Sequence, residues 1–367
     1  MSSWLEGRLK ELEAIAGYRA ADPVSEVVAR FGLKVDEVVK LDSNENLVLP
    51  YTFLRRLLLE VASSLDPRLY PVAPVQRLYL ALAEHLGVGE ESIVVGYGSD
   101  QLIDLLIGAL ARGGRVVSIK PSFTYYPYRC ASFGVPYQAL DLHPDFSLPT
   151  DTLIEAATAE TLLFIPSPNN PTGNQFPRDE IVRLLEEGAA LVVVDEAYAE
   201  FADYSLVQEA QEHERLVVLR TFSKAFGMAG LRLGYLVANP HLAGVLKSRV
   251  QQPFPAGAFS ALLAARLLEE YEEVRASVQE VKRERQRLIE ALHALEGVEV
   301  FPSQANFLLL NTRLGVEELW AGLAQQGVLV RRVGRVLEHE NCVRVTVGTY
   351  DMNRRLLAAL AKVLKEG

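Results

Sequence analysis

Between residues 92 and 235 short apolar runs alternate with amphipathic stretches, and that alternation leaves few folds open. The runs fall at 93–95, 116–119, 162–165, 191–194, 216–219 and 233–237. They carry apolar residues on both faces, as strands do when helices cover both sides of a mainly parallel sheet. We therefore expect an α/β chain whose large domain is such a helix-sandwiched sheet. The residues just beyond each run are equally informative. The first five runs lead into GYGSD at 96–100, KPSF at 120–123, SPNNPTG at 167–173, DEAY at 195–198 and TFSK at 221–224. In open α/β sheets ligands sit beyond the carboxyl ends of strands. Polar and turn-forming clusters repeated at those ends point to one shared site.

The pattern changes on either side of this block. Prolines at 253 and 255 mark a break, and 260–297 reads as mostly long amphipathic helix. Short strands at 298–301, 306–310, 328–331 and 343–347, with helices at 316–326 and 352–364, make a second, smaller α/β domain. Ahead of the block lie an amphipathic helix carrying Trp4, Leu5, Leu9, Leu12 and Ile15, a polar cluster at 40–46, and helices at 51–64 and 78–86. Pro67 and Pro71 hold an extended loop between the latter two. The expected organisation is an N-terminal segment, 1–45, that joins the small domain, a large domain over 46–252 and a small C-terminal domain over 253–367.

Several classes of function are disfavoured. A net charge of −10 over 367 residues is a poor footprint for nucleic acid. Cys130 and Cys342 are isolated, and the histidines show no ligand spacing, so neither a disulfide framework nor a metal site is expected. No run reaches the ~18 apolar residues of a membrane span, and the first helix lacks the continuous apolar core of a cleavable signal. The expected location is the cytoplasm.

The strand-end clusters match the needs of a phosphorylated aldehyde cofactor. Lys224 follows a buried-looking strand and suits a Schiff-base nucleophile, although a surface-loop lysine reads the same way in isolation. Ser99 and Asp100 open a helix whose free N–H groups suit a phosphate, and equally suit a plain helix cap. Arg232 can pair with that phosphate, and Thr221 and Ser223 can add hydroxyls. Asp195 ends an apolar strand, which favours a buried carboxylate paired with a cation over a solvated charge. Such an anion would keep a pyridine nitrogen protonated. Asn170 and Tyr198 can bond a phenolic oxygen on the ring; Phe123 can stack on its face or simply fill the core. Arg344 alternates with Val343 and Val345, so it lies opposite them, as an ordinary exposed strand arginine would too.

The motifs SPNNPTG, DEAY and TFSKAFGMAGLRLG, in this order and spacing, resemble those of the fold-type I pyridoxal-phosphate aminotransferases, and the likeness runs from Tyr18 to Gly348. Within them SNEN at 43–46 and RVTVG at 344–348 are most similar to the histidinol-phosphate aminotransferase family. The resemblance implies a seven-stranded-type sheet and pyridoxal 5'-phosphate bound covalently to Lys224. Asp195 would hold the ring nitrogen, Asn170 and Tyr198 the ring oxygen, and Phe123 the ring face. Ser99, Asp100, Thr221, Ser223 and Arg232 would surround the phosphate, and Lys224, Asp195 and Tyr198 would be the catalytic set. Tyr70 would reach the cofactor phosphate of a second copy, which implies a homodimer with shared sites. Arg331 and Arg344 would grip the anionic group of the substrate, with Tyr18 and Asn44 beside them. Ping-pong exchange of an amino group between histidinol phosphate and 2-oxoglutarate is the activity implied. Departures after Tyr18, at Leu47 and at 348–353 leave open a threonine-phosphate decarboxylase or an aromatic aminotransferase. A non-catalytic sensing module is the alternative from another class, but no DNA-binding helix pair precedes residue 40.

Overall fold

The computed structural model of the protein describes residues 3–18 and 22–366. Its strands, in chain order, are β1 (Val39–Leu41), β2 (Ile93–Gly96), β3 (Arg115–Lys120), β4 (Tyr137–Asp141), β5 (Thr161–Pro166) and β6 (Leu191–Asp195). Then come β7 (Leu216–Thr221), β8 (Gly234–Ala238), β9 (Val298–Val300), β10 (Phe307–Thr312), β11 (Val328–Val336) and β12 (His339–Thr346). They form two sheets. The larger has the order β2-β8-β7-β6-β5-β3-β4, and the smaller the order β1-β11-β12-β10-β9.

In the large sheet β4, β3, β5, β6 and β7 run parallel, while β8 is antiparallel to both its neighbours, β7 and β2. The mainly parallel architecture therefore holds. Alternate side chains of these strands enter two separate apolar clusters. Val116, Phe164, Val193, Val217 and Leu236 pack with Leu102, Leu106 and Ile107 of the helix Gly98–Leu110. Their neighbours Val117, Ile165, Val194, Val218 and Val237 belong to the other cluster. Each such side chain, fully buried, contributes roughly 1.5–3 kcal/mol, so both faces resist exposure.

Strand β4 was not anticipated. It is an edge strand of intermediate and exposed residues, without the continuous buried apolar run that marks a central strand. The polar cluster expected at 40–46 begins inside β1, which leaves the N-terminal segment to pair in parallel with β11 of the small sheet. The long helix expected over 260–297 is two helices, Ala258–Glu269 and Tyr271–His293, broken at Glu270 (φ −110°, ψ 37°). The first packs on the helices Tyr51–Ser64 and Val72–Leu86. The N-terminal helix Ser3–Glu13 buries no residue, and Trp4 is 75 % exposed. Among the described residues no helix is long and apolar enough to cross a membrane.

Candidate active site

The carboxyl ends of β3, β5, β6 and β7, the start of the helix Gly98–Leu110, and the small sheet's β11 and β12 enclose one cavity of about 650 Å3. Tyr18, Asn44, Ser99, Asp100, Phe123, Asn170, Asp195, Tyr198, Thr221, Ser223, Lys224, Arg232, Arg331 and Arg344 all line it. Tyr70 does not. It is 76 % exposed and stacks on Phe254, with ring centroids 4.5 Å apart.

Lys224 sits in the loop after β7, where Phe222, Ala225 and Phe226 are fully buried and anchor the backbone on both sides of it. Its Nζ donates to the Ser43 carbonyl at 3.1 Å and lies 5.7 Å from the Tyr198 ring centroid. Burial, helped by the Arg344 charge, pushes the ammonium down to about 8. A surface lysine would not be so placed.

Asp195 ends β6 at 5 % exposure. Its Oδ2 accepts from the Tyr126 hydroxyl at 2.7 Å and its Oδ1 from the Ala197 N–H at 3.2 Å. Among the described residues its hydrogen-bond partners are a phenol and an amide, and no side-chain cation pairs with it. Burial without a counter-charge pushes this carboxyl up to about 6. A protonated pyridine nitrogen is a group that would relieve it. The next residue, Glu196, is also buried, but pairs with Arg220 at 2.9 Å and accepts from Ser205 and Leu206. Only Asp195, Ala197 and Tyr198 of DEAY face the cavity.

At the helix mouth Gly98 has φ +75°, and a Cβ there would lie 2.8 Å from Arg232 Nη2. A Cβ on Gly234 would lie 2.6 Å from the Ser99 nitrogen. Both glycines thus let the backbone close around the first turn, whose N–H groups have no helical partners. Arg232 donates to Asp100 Oδ2 at 2.8 Å and to Ser223 Oγ at 3.4 Å. The Asp100 carboxylate is therefore turned onto the guanidinium. Burial nevertheless raises its pKa. Thr221 Oγ1 accepts from the Ser223 N–H at 3.1 Å and donates to the Leu233 carbonyl at 3.4 Å, which shapes the cup from below.

Opposite, Arg331 and Arg344 are cross-strand partners on β11 and β12. Neighbours across an antiparallel pair share a face, so the two guanidinium groups reach the same end of the cavity. Arg344 is no ordinary surface arginine. It donates to Asn170 Oδ1 at 2.6 Å and to the Asp42 carbonyl at 2.8 Å, while its Nε is buried without a partner. Tyr18 meets Phe123, Tyr125 and Tyr128 edge-on or tilted, with centroids 5.9–6.5 Å away. Residues 19–21, part of the segment that departs from the family pattern, lie outside the described residues.

Sequence reasoning missed two supports. Tyr126, fully buried beneath Asp195, was hidden in an aromatic run whose members looked alike. Asn169, the first asparagine of SPNN, faces inward and ties its loop together through Pro121, Ser122 and Thr172. That leaves Asn170 for the cavity.

A buried amine of lowered pKa, a buried carboxyl of raised pKa and an anion cup in one cavity define a site for cofactor-assisted amine chemistry. Residues 36–360 match the aminotransferase class I and II model, and the chain belongs to that family of pyridoxal-phosphate-dependent transaminases. It is 37 % identical over 333 residues to the histidinol-phosphate aminotransferase of Ruminiclostridium cellulolyticum, covering 88 % of this chain and 91 % of that one. The histidinol-phosphate aminotransferase of Roseiflexus castenholzii is 35 % identical, over 99 % of this chain and 100 % of its own. The same fold is seen in the Sinorhizobium meliloti enzyme of that name in complex with pyridoxal 5'-phosphate. There the TM-score is 0.84 at 22 % identity, over 97 % of each chain.

Proposed function

We propose that the protein exchanges an amino group between L-histidinol phosphate and 2-oxoglutarate, as a cytoplasmic homodimer, with pyridoxal 5'-phosphate held in the cavity. The observation that carries this reading is that Lys224 and Asp195, both buried, line the same cavity. One is pushed down to about 8 and the other up to about 6 by the same burial. These two groups are suited to bracket a ring that bears a cation at one end and a carbonyl at the other.

The residues fit the cofactor. Asp195 would accept from its ring nitrogen, Tyr198 and Asn170 would bond its ring oxygen, and Phe123 would cover one face. The amides of Ser99 and Asp100, the hydroxyls of Thr221 and Ser223, and Arg232 would hold its phosphate. In a dimer Tyr70, which stands outside its own cavity, is available to the second copy's phosphate. When bound, pyridoxal phosphate supplies an electron sink for the charge left when a proton leaves the substrate's α-carbon.

The rest is the work of this chain. Lys224 Nζ would hold the cofactor covalently and, when free, would be the base that moves the proton from one carbon to the other. A lowered pKa suits both roles, because the neutral amine is populated near physiological pH. Asp195 stays ionised once a cation faces it, and Tyr126 and the Ala197 amide keep its two oxygens oriented. Arg331 and Arg344 bind the substrate's phosphate, or the distal carboxylate of the second substrate, without a change of fold. Asn170 is oriented by Arg344 through its Oδ1, so its amide nitrogen is left to face the ring oxygen.

The test is glutamate formation from 2-oxoglutarate by the purified, cofactor-loaded protein. Histidinol phosphate should be the preferred donor by kcat/KM over phenylalanine, tyrosine and threonine phosphate. A preference for an aromatic amino acid, or release of carbon dioxide from threonine phosphate, would replace this assignment with one of the alternatives.

A further inference from the structure

The phenol of Tyr198 is held by a chain of hydrogen bonds whose direction is set at its far end. The Asn44 backbone N–H can only donate, and it donates to Thr346 Oγ1 at 2.9 Å. The Thr346 hydroxyl, its oxygen so engaged, has Asn44 Oδ1 at 3.4 Å to receive its proton. That fixes which end of the Asn44 amide is which, and leaves Nδ2 to donate to the Tyr198 oxygen at 2.9 Å. Among the described residues the phenol oxygen has no other hydrogen-bond partner. Its own proton therefore has one place to go, the cavity.

Every member is buried: Asn44 and Thr346 are 1 % exposed and Tyr198 6 %. Asn44 takes φ +55°, a conformation that asparagine tolerates better than most side chains. Asn306, itself fully buried, clamps it there by donating to the Asn44 carbonyl at 3.0 Å. Neighbouring carbonyls of the same segment receive Lys224 and Arg344. We infer that Asn44 is a positioning residue that, oriented by Thr346, makes Tyr198 a one-way donor into the cavity. This rests on the reading that Tyr198 serves the cofactor's ring oxygen. The assignment differs from the substrate contact expected for Asn44, because its amide nitrogen points to a protein phenol. The charged groups around the phenol are Arg344 on β12, Asp195 at the end of β6 and Lys224, with Tyr18 beside them. All of them remain in the variants below.

A donor on the ring oxygen keeps that oxygen from drawing in a proton, so losing the donor raises the pH at which the lysine-bound cofactor changes its visible absorbance. The experiment titrates that absorbance in the loaded full-length protein. Tyr198→Phe sets the full upward shift. Asn44→Gly, which accepts φ +55°, and Thr346→Val, which lets the amide turn over, should each move the midpoint up by about 0.5–1 pH unit, the worth of one neutral hydrogen bond. Thr346→Ser should restore the wild-type midpoint, and neither Asn44→Gly nor Thr346→Val should add to the shift in a Tyr198→Phe background. Unchanged midpoints in both single variants, or full additivity on Tyr198→Phe, would overturn the inference while leaving the cofactor reading intact. If Asn44→Gly does not fold, Thr346→Val and Thr346→Ser decide it. A wild-type protein that takes up no cofactor removes the reading beneath the inference, and the inference with it.

Discussion

Replacing Asp195 with asparagine should stabilise the cofactor-free protein and cripple the loaded one. The carboxyl is pushed from 3.8 to about 6 by burial, with no cation beside it. Because the folded protein holds this proton more tightly than the unfolded chain, stability contributed here is complete below about pH 4 and lost as pH rises to about 6. A rise of about two pH units, at about 1.4 kcal/mol each, makes the loss roughly 3 kcal/mol at neutral pH. Asparagine is isosteric and never ionises. Its oxygen can still accept from the Ala197 N–H, and the Tyr126 hydroxyl can turn to accept from its amide at a cost of about 1 kcal/mol. The net gain for Asp195→Asn near neutrality is then roughly 1–3 kcal/mol. Urea unfolding of both cofactor-free proteins, at pH values above 7 and below 4, reads it directly. The variant should have the higher midpoint only at the higher pH, and should bind pyridoxal phosphate weakly and turn over poorly. A variant less stable than wild type at neutral pH, or a difference independent of pH, would refute the claim that an uncompensated charge is buried at Asp195.

Lys224→Ala should fold normally by circular dichroism and lose turnover by more than the roughly 10²–10⁴-fold attributable to general acid–base catalysis, since covalent attachment is lost too. In wild type the rate of cofactor attachment, followed by absorbance, should rise with pH to a plateau with a midpoint near 8, because the neutral amine is the nucleophile; a midpoint near 10 would contradict the burial argument. Arg344→Lys should lower kcat/KM for the phosphorylated donor by about 10²-fold, as one point charge replaces a planar fork that also orients Asn170. Gly98→Ala should cost about 1–3 kcal/mol in thermal unfolding and weaken cofactor binding, because its Cβ meets Arg232 at 2.8 Å on a backbone with φ +75°.

The central parallel strands announce themselves because burial on both faces forces unbroken apolar runs, and the site announces itself because strand ends carry its residues. What was not legible depends on contacts between distant segments. Strand β4 lies at an edge, so half its residues are free to be polar. The three residues of β1 are too short to show a period, and become a strand only through pairing with β11 nearly three hundred positions away. Asn44 stood out only as a substrate-side residue, because its protein partners Tyr198, Thr346 and Asn306 lie 154 to 302 positions away. Asp195 is legible as buried because it ends an apolar strand, but its phenol partner Tyr126 lies 69 positions earlier and is not.

The most direct test of the account is to load the protein with pyridoxal phosphate, reduce it with borohydride and map the modified peptide by mass spectrometry. Two lysines line the cavity, Lys224 deep within it and Lys120 at its exposed edge. The label is expected on Lys224 alone, and prior addition of histidinol phosphate without 2-oxoglutarate should remove it by converting the cofactor to its amine form. A label on Lys120, or on no lysine of the cavity, would contradict the assignment of this site.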